Sequence, residues 1–342
     1  MDRGSYQPRR DFGPVSPKPY DFVPLPREGV MRAKTIGHEV YKAGVFSGRL
    51  ELEIAALSHL FVSGGIYGLS EDLKHPAGGV LRGCYRVGDV PAIPGASLKG
   101  VVRSIAEAVT ASCIGSASRD VKDLLPRTPA KCTPELACPA CSMFGVQGRL
   151  GKVAFGDALL LPGQQTALHR IPSLYRPHLS RRELPRVYFL DESRRWLKGR
   201  KFYFHGQMRE EPRNEPVEVI PQGSHLTGSV DFENLTREEL ALLFFSLGLD
   251  GSFRLKLGGG KPACLGSLEV RPTRLRLRRP KEEFLDYGAV PEVYEGEAAS
   301  RFIVGKIQEV ESQARYILPE QARKLREILH YPNDRECPTG MY

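Results

Sequence analysis

Four cysteines, Cys113, Cys132, Cys138 and Cys141, stand in the spacing C-x18-C-x5-C-x2-C, with the last pair in the tetrapeptide CPAC. Thiolates are soft ligands that suit the four corners of a tetrahedral zinc site, and a CxxC turn bends its amides toward the sulfurs. The spacing points to structural Zn2+ held by all four, pinning an insertion that has no core of its own. His169 and His178 are substitute ligands should Cys113 lie too far away. With no secretory leader pattern at the amino terminus, the chain reads as cytoplasmic, and its seven cysteines are expected to serve metal rather than disulfides. Cys84, Cys264 and Cys337 fall in no such group.

A second stretch, IPGASLKGVVRSIAEAV at 93–109, runs from a proline-glycine turn into a helix. Ser97 is placed to cap it, Leu98, Val102, Ile105 and Val109 form an apolar stripe, and Lys99, Arg103 and Glu107 follow four apart on another face. Cations in a first turn oppose the helix dipole, so an anion is expected there, and a phosphate on the free amides would meet that need. Further on, KLGGGKPACLG lacks the phosphate-loop pattern: Leu255 stands where its first glycine belongs, and Pro262 where serine or threonine would follow the lysine. What is left is a glycine-rich turn whose bare backbone lets a sugar-phosphate chain approach closely.

Charge agrees with an anionic partner. The net charge is +9, but residues 282–342 hold twelve acids against seven bases, a net −5, so residues 1–281 carry +14. A balance of that size favours nucleic acid. Between 176 and 201 nine bases face three acids, with Trp196, Phe202, Tyr203 and Phe204 interleaved or adjacent, the mixture that single-stranded RNA favours. No apolar run has the length of a membrane span, which argues against a membrane partner.

The elements that must position these residues can be ordered from periodicity. GRLELEIAAL alternates as a half-buried strand, SHLFVSGGIYGLSEDLKHPAGGVLRGCYRVGDVPA reads as a long loop or irregular hairpin, and the 93–109 helix follows. GKVAFGDALLL, VYFLD, KFYFHG and HLTGSVDFEN are strand candidates; LTREELALLFFSLGL is a helix capped by Thr236; SLEVRPTRLRLRRP is a strand with one basic face. The order β-α-β-β-α-β predicts an α+β fold with a ferredoxin-like core carrying a zinc-binding insertion. The expected organisation is an extended arm at 1–45, a core domain at 46–281 with a zinc insertion near 111–145 and a basic insertion near 165–205, and an acidic, mostly helical extension at 282–342.

The segments IPGASLKGVVR, CPACSMFG leading into GKVAFGDALL, and LGGGKPACLGS before the last strand resemble the RAMP superfamily of CRISPR proteins. YDFVPLP, LKGRKFYFHG and FENLTREELALLFFSLGL are similar to its single-domain subunits of type III effector complexes. The resemblance implies an RNA-recognition-motif-like core with long thumb-like loops, and a guide (crRNA)-binding backbone subunit, assembled with other subunits and meeting a target RNA. It places Ser97, Lys99 and Arg103 on guide phosphates and makes Gly258, Gly259, Gly260 and Lys261 the family's glycine-rich loop, although Ala263 and Cys264 stand where a further glycine is common. For backbone subunits that cut target RNA it implies a catalytic aspartate between the first strand and first helix. Asp72 matches that position best, with Glu71 and Asp89 as alternatives and Mg2+ as the ion it would hold to promote 2′-hydroxyl attack. Two other readings stay open: a non-catalytic capping or scaffolding subunit, and a stand-alone guide-processing endoribonuclease using His75.

Overall fold

The alternating run becomes an eleven-residue strand, β1 (Phe46–Ala56), which buries Leu50, Leu52, Ile54 and Ala56 and turns Arg49, Glu51 and Glu53 to the opposite face. The computed structural model describes residues 18–337 apart from 27–28, 41, 76–78, 115–123, 126–131, 173, 175–183, 209, 211–213, 287 and 289. His178, Arg176, Arg181 and Arg182, which figure in the sequence expectations, lie outside the described residues.

After β1 comes a hairpin, Ser63–Leu69 against Val80–Cys84, with a register shift between Ser63 and Tyr67. Helix α1 (Gly95–Val109) and the short helix α2 (Pro139–Phe144) precede strands β2 (Val153–Phe155) and β3 (Ala158–Leu160). Strand β4 (Gly199–Tyr203), strand β5 (His225–Leu235), helix α3 (Arg237–Ser246), strand β6 (Ser267–Arg278), and helices α4 (Gly296–Glu311) and α5 (Pro319–Ile328) complete the set used below. The protein is a mixed α+β structure dominated by strands.

A nine-stranded sheet holds the centre, with β6, β1, β5 and β3 as consecutive antiparallel neighbours. The register sets Leu50 between Val230 and Leu275, and Ile54 between Leu226 and Val270, so one face of the sheet is continuously apolar. On the other face the pairings Arg276–Arg49–Asp231 and Arg274–Glu51 run in register. Pro272 has no amide to give the ladder, and β6 shifts register between Pro272 and Arg274.

Helices cover the apolar face. Leu98, Val102, Ile105 and Val109 of α1 are buried there, as the stripe requires. Helix α3 is buried nearly all round, and Thr236 and Glu239 close its start as a reciprocal capping box. Ala299, Ile303, Ile307 and Val310 of α4 and Ala322, Leu325 and Ile328 of α5 join the same core, so the two helices of the acidic segment pack against the sheet domain. The strand Tyr20–Pro24 pairs antiparallel with β4, burying Tyr20, Phe22 and Val23.

Three expectations are corrected. VYFLD contains a 3-10 turn over Arg186–Tyr188 rather than a strand, because its amides close back locally on Pro185 and Arg186. GKVAFGDALLL is two strands, since Gly156 and Asp157 interrupt the run. Cys264 and Cys337, ungrouped in the sequence, are joined as a disulfide with Cα atoms 6.0 Å apart, tying the C-terminal segment to the glycine-rich turn. No helix among the described residues is long and apolar enough to cross a membrane.

Candidate metal centre and nucleic-acid cleft

Cys113 leaves the end of α1, Cys132 approaches from the insertion, and Cys138 and Cys141 flank the first turn of α2. Their sulfurs all lie within 4.8 Å of one another. Cys113 Sγ is 3.5 Å from Cys141 Sγ, 3.7 Å from Cys138 Sγ and 3.8 Å from Cys132 Sγ. Zinc bonds of about 2.3 Å at tetrahedral angles set sulfurs roughly 3.8 Å apart, so the four residues fit that ion. Outer contacts fit as well. The amides of Cys113 and Cys141 donate to Cys138 Sγ, the amide of Cys138 donates to Cys132 Sγ, and Arg103 Nη2 lies 3.6 Å from Cys141 Sγ. Without an ion the sulfurs share protons: hydrogen bonds from Cys113 and Cys141 favour the thiolate at Cys138, and the same contacts hold Cys113 as the thiol. This cluster can hold a metal ion such as zinc. His169 is not needed: it sits on a strand away from the cluster, with its ring 5.0 Å from that of His59.

The start of α1 does meet an anion, and it belongs to the chain. Asp157, freed by the break between β2 and β3, accepts the Gly95 amide at 2.7 Å and the Tyr85 hydroxyl at 2.9 Å. Pro94 precedes the helix, so Ser97 is a first-turn residue and not its cap. Gly95 has to be glycine, since a Cβ would sit 2.1 Å from the Phe155 carbonyl oxygen.

From there α1 presents two polar faces. Lys99 donates to the Val153 carbonyl at 3.2 Å, and burial, with Arg103 beside it, lowers its pKa. Arg103 donates to Glu107 at 2.8 Å and to the Gly145 carbonyl at 3.2 Å. Both thus turn toward β2 and the cysteine knuckle. Ser97, Gly100 and Ser104, at helical spacing on the neighbouring face, line a cleft of about 330 Å3. Lys201 and Tyr203 of β4 and Lys256, Gly258 and Lys261 of the glycine-rich turn line it too. Among the described residues, none that line it is acidic.

Three lysines in an acid-free cleft need explaining. Burial, with Lys261 as a further cation, pulls Lys201 down to about 8 and Lys256 down to about 7; burial also lowers Lys261. Lys256 donates to the Cys264 carbonyl at 3.1 Å and to Ser267 Oγ at 3.2 Å. Lys201 donates to the Tyr188 hydroxyl at 2.8 Å, with its ammonium 4.8 Å, 5.3 Å and 4.9 Å from the ring centres of Tyr20, Tyr188 and Tyr203. Neutral acceptors and aromatic faces hold these cations without cancelling their charge. Gly258 adopts φ +90°, and a Cβ there would meet the Phe61 carbonyl oxygen at 2.5 Å, so bare backbone is required at the cleft edge. Gly259 donates its amide to Phe61 and Gly260 is left-handed at φ +70°, which completes the turn.

The loop candidates lie elsewhere. Glu71 and Asp72 are exposed in the turn that closes the Ser63–Leu69/Val80–Cys84 hairpin, and Asp89 is exposed in a separate turn. His75 contacts Thr166 at 3.2 Å and the fully buried Glu218 at 3.4 Å, and Glu218 is also held by Arg86 and by the Cys84 amide. Among the described residues, the four cysteines are the one group of three or more metal-ligating side chains that gathers, and Asp72 is not in it. Lys256 and Ser104 were missed by the sequence reading. No local signal marked Lys256: strand alternation in RLKL puts it on the face opposite Leu255 and Leu257, and it is buried only because that face is covered as well.

A family model described as the RAMP superfamily matches residues 53–269, a span that runs from β1 into β6 and includes the cysteine cluster and the three cleft lysines. No curated protein matches the chain.

Proposed function

The chain belongs to the RAMP superfamily of CRISPR-associated proteins, and from that premise we propose that the acid-free lysine cleft binds the phosphates of a guide RNA in a type III effector complex. The single observation behind this is the convergence of Lys201, Lys256 and Lys261 with the α1 hydroxyls and the glycine-rich backbone. Buried cations without a carboxylate partner are an expensive arrangement unless an anion arrives. The order β6–β1–β5–β3, with α1 crossing after β1 and α3 after β5, supports reading the core as ferredoxin-like. On this reading the protein is a backbone-type subunit, with crRNA, target RNA and neighbouring subunits as partners. Ser97 and the Gly258–Gly260 turn contact the strand directly. Lys99 and Arg103 support the wall behind it.

Cleavage through Asp72 with Mg2+ has less behind it, because no second ligand gathers beside that carboxylate among the described residues. The reading is therefore binding, with the cysteine centre as a structural zinc site.

The test is titration with a single-stranded RNA oligonucleotide at several salt concentrations. Three phosphates neutralised on a single strand release counterions with a log–log slope of about −2, so affinity is expected to fall roughly 20-fold between 50 and 200 mM salt. Binding that ignores salt would remove the cleft from the interface.

A further inference from the structure

We propose that Glu107 is a positioning residue that couples the cysteine centre to the lysine cleft, so that metal occupancy sets the affinity of the cleft for RNA; this rests on the RNA-binding reading above. Glu107 is in the last turn of α1 and its side chain is almost completely buried. One oxygen accepts from Arg103 Nε at 2.8 Å, and the other accepts from Arg200 Nη2. Each arginine has a second anchor. Arg103 reaches the Gly145 carbonyl at 3.2 Å and Cys141 Sγ at 3.6 Å, both on the metal knuckle. Arg200 reaches Ser104 Oγ at 3.3 Å and is the chain neighbour of Lys201, and Ser104 and Lys201 both line the cleft.

The path is continuous: cysteine knuckle, Arg103, Glu107, Arg200, β4. A buried carboxylate cannot be left without its cations, so the two arginines are held to it and to each other's position. Planar guanidinium groups with several donors transmit orientation as well as charge. An ion on the four sulfurs fixes Cys141 and the end of α2, and hence the footing of Arg103. Without it the knuckle loses that cross-link, Arg103 loses a fixed anchor, and Arg200 no longer holds β4 against α1.

Trp196, the one tryptophan of the chain, lies three residues before β4, with Arg195 stacked 4.9 Å from its ring centre. It reports on that strand without labelling. The experiment compares the full-length wild type with Glu107→Gln, each as purified and after chelation, by metal analysis, Trp196 emission and titration with a single-stranded RNA oligonucleotide. In the wild type, chelation is expected to shift Trp196 emission and weaken RNA binding about tenfold. Glu107→Gln is expected to keep about one metal per chain, to bind RNA about tenfold more weakly, and to lose nothing further on chelation. Arg200→Lys, which cannot hold Ser104 and Glu107 together, serves the same purpose if the glutamine variant does not fold. Equal losses on chelation in variant and wild type, or unchanged wild-type Trp196 emission on chelation, would overturn the coupling. Failure of the metal-loaded wild type to bind RNA would instead overturn the RNA reading, and the emission comparison would still decide the coupling.

Discussion

Replacing Lys256 by methionine is expected to weaken RNA binding roughly 30- to 100-fold while leaving the folded protein about as stable as before. A buried, hydrogen-bonded charge facing a phosphate is worth about 2–3 kcal/mol or more when truncated, which sets the loss of affinity. Stability responds to different quantities. Removing the ammonium relieves its desolvation but strands the Cys264 carbonyl and one contact of Ser267 Oγ. Those two effects are each about 1–3 kcal/mol and opposed in sign. The pH dependence separates them. Burial holds Lys256 near 7 in the folded chain, against its ordinary value of 10.5. Between those values the unfolded chain binds more protons, so wild-type stability should rise with pH from about 7 to about 10. RNA affinity should fall over the lower part of that range, as Lys256 and then Lys201, near 8, lose their charge in the free protein. Thermal melts and RNA titrations at pH 6, 7, 8 and 9 read the two trends. A methionine variant that binds as tightly as wild type would show that Lys256 meets no phosphate.

Local pattern carried much of the fold, and pairing carried what it missed. The alternation of FSGRLELEIAA, the stripe of α1 and the Thr236 cap are each written within a dozen residues and appear as expected. The cysteine group was legible for a related reason: CPAC places two sulfurs side by side by itself, and the other two stand close to it in the chain. Partners distant in sequence were not legible. Nothing in YDFVPLP states that Tyr20 pairs with Tyr203, or that Cys337 returns to Cys264. The cleft failed in the same way. Ser97, Lys99 and Arg103 were grouped because the resemblance puts all three on guide phosphates, but helical rotation sends Ser97 to the cleft, Lys99 to β2 and Arg103 to the knuckle. Charge balance could not be read either. The anion demanded at the start of α1 is Asp157, sixty-two residues from the Gly95 amide that it accepts. Likewise, part of the acidic excess of the C-terminal segment is spent on the basic strand: Glu295 pairs with Arg274, Glu283 with Arg278, and Glu282 and Glu292 with Arg279. These four acids thus offset part of the +14 on residues 1–281 at Arg274, Arg278 and Arg279, while no carboxylate lines the lysine cleft among the described residues.

Serine at Cys138 is expected to abolish metal binding and lower the melting temperature by on the order of 10 °C, the largest stability effect of any single substitution considered. Cys138 is fully buried, caps α2 through the Cys141 amide, and receives the Cys113 amide as well. Its loss opens the cross-link between the end of α1, the insertion and the knuckle at once. The damage does not stay local, because Ser142 of α2 donates to Glu239, the same buried carboxylate that caps α3 and holds Lys152 at 2.7 Å. A zinc finger peptide owes its whole folding to about 10–16 kcal/mol of metal binding, but here the surrounding core keeps most of the fold, so roughly 3–5 kcal/mol of that is expected to appear as stability. Chelated wild type and Cys138→Ser should melt together, and chelator should do nothing more to the variant. Cys84→Ser is the matched control: Cys84 is also buried and donates to the Glu218 carbonyl, but it lies outside the cysteine cluster, so a change of about 1 kcal/mol and full metal content are expected. Full metal content in Cys138→Ser would mean that the ion is not held through Cys138, and a melting temperature no lower than that of Cys84→Ser would mean that the four sulfurs pack together as thiols without a stabilising ion.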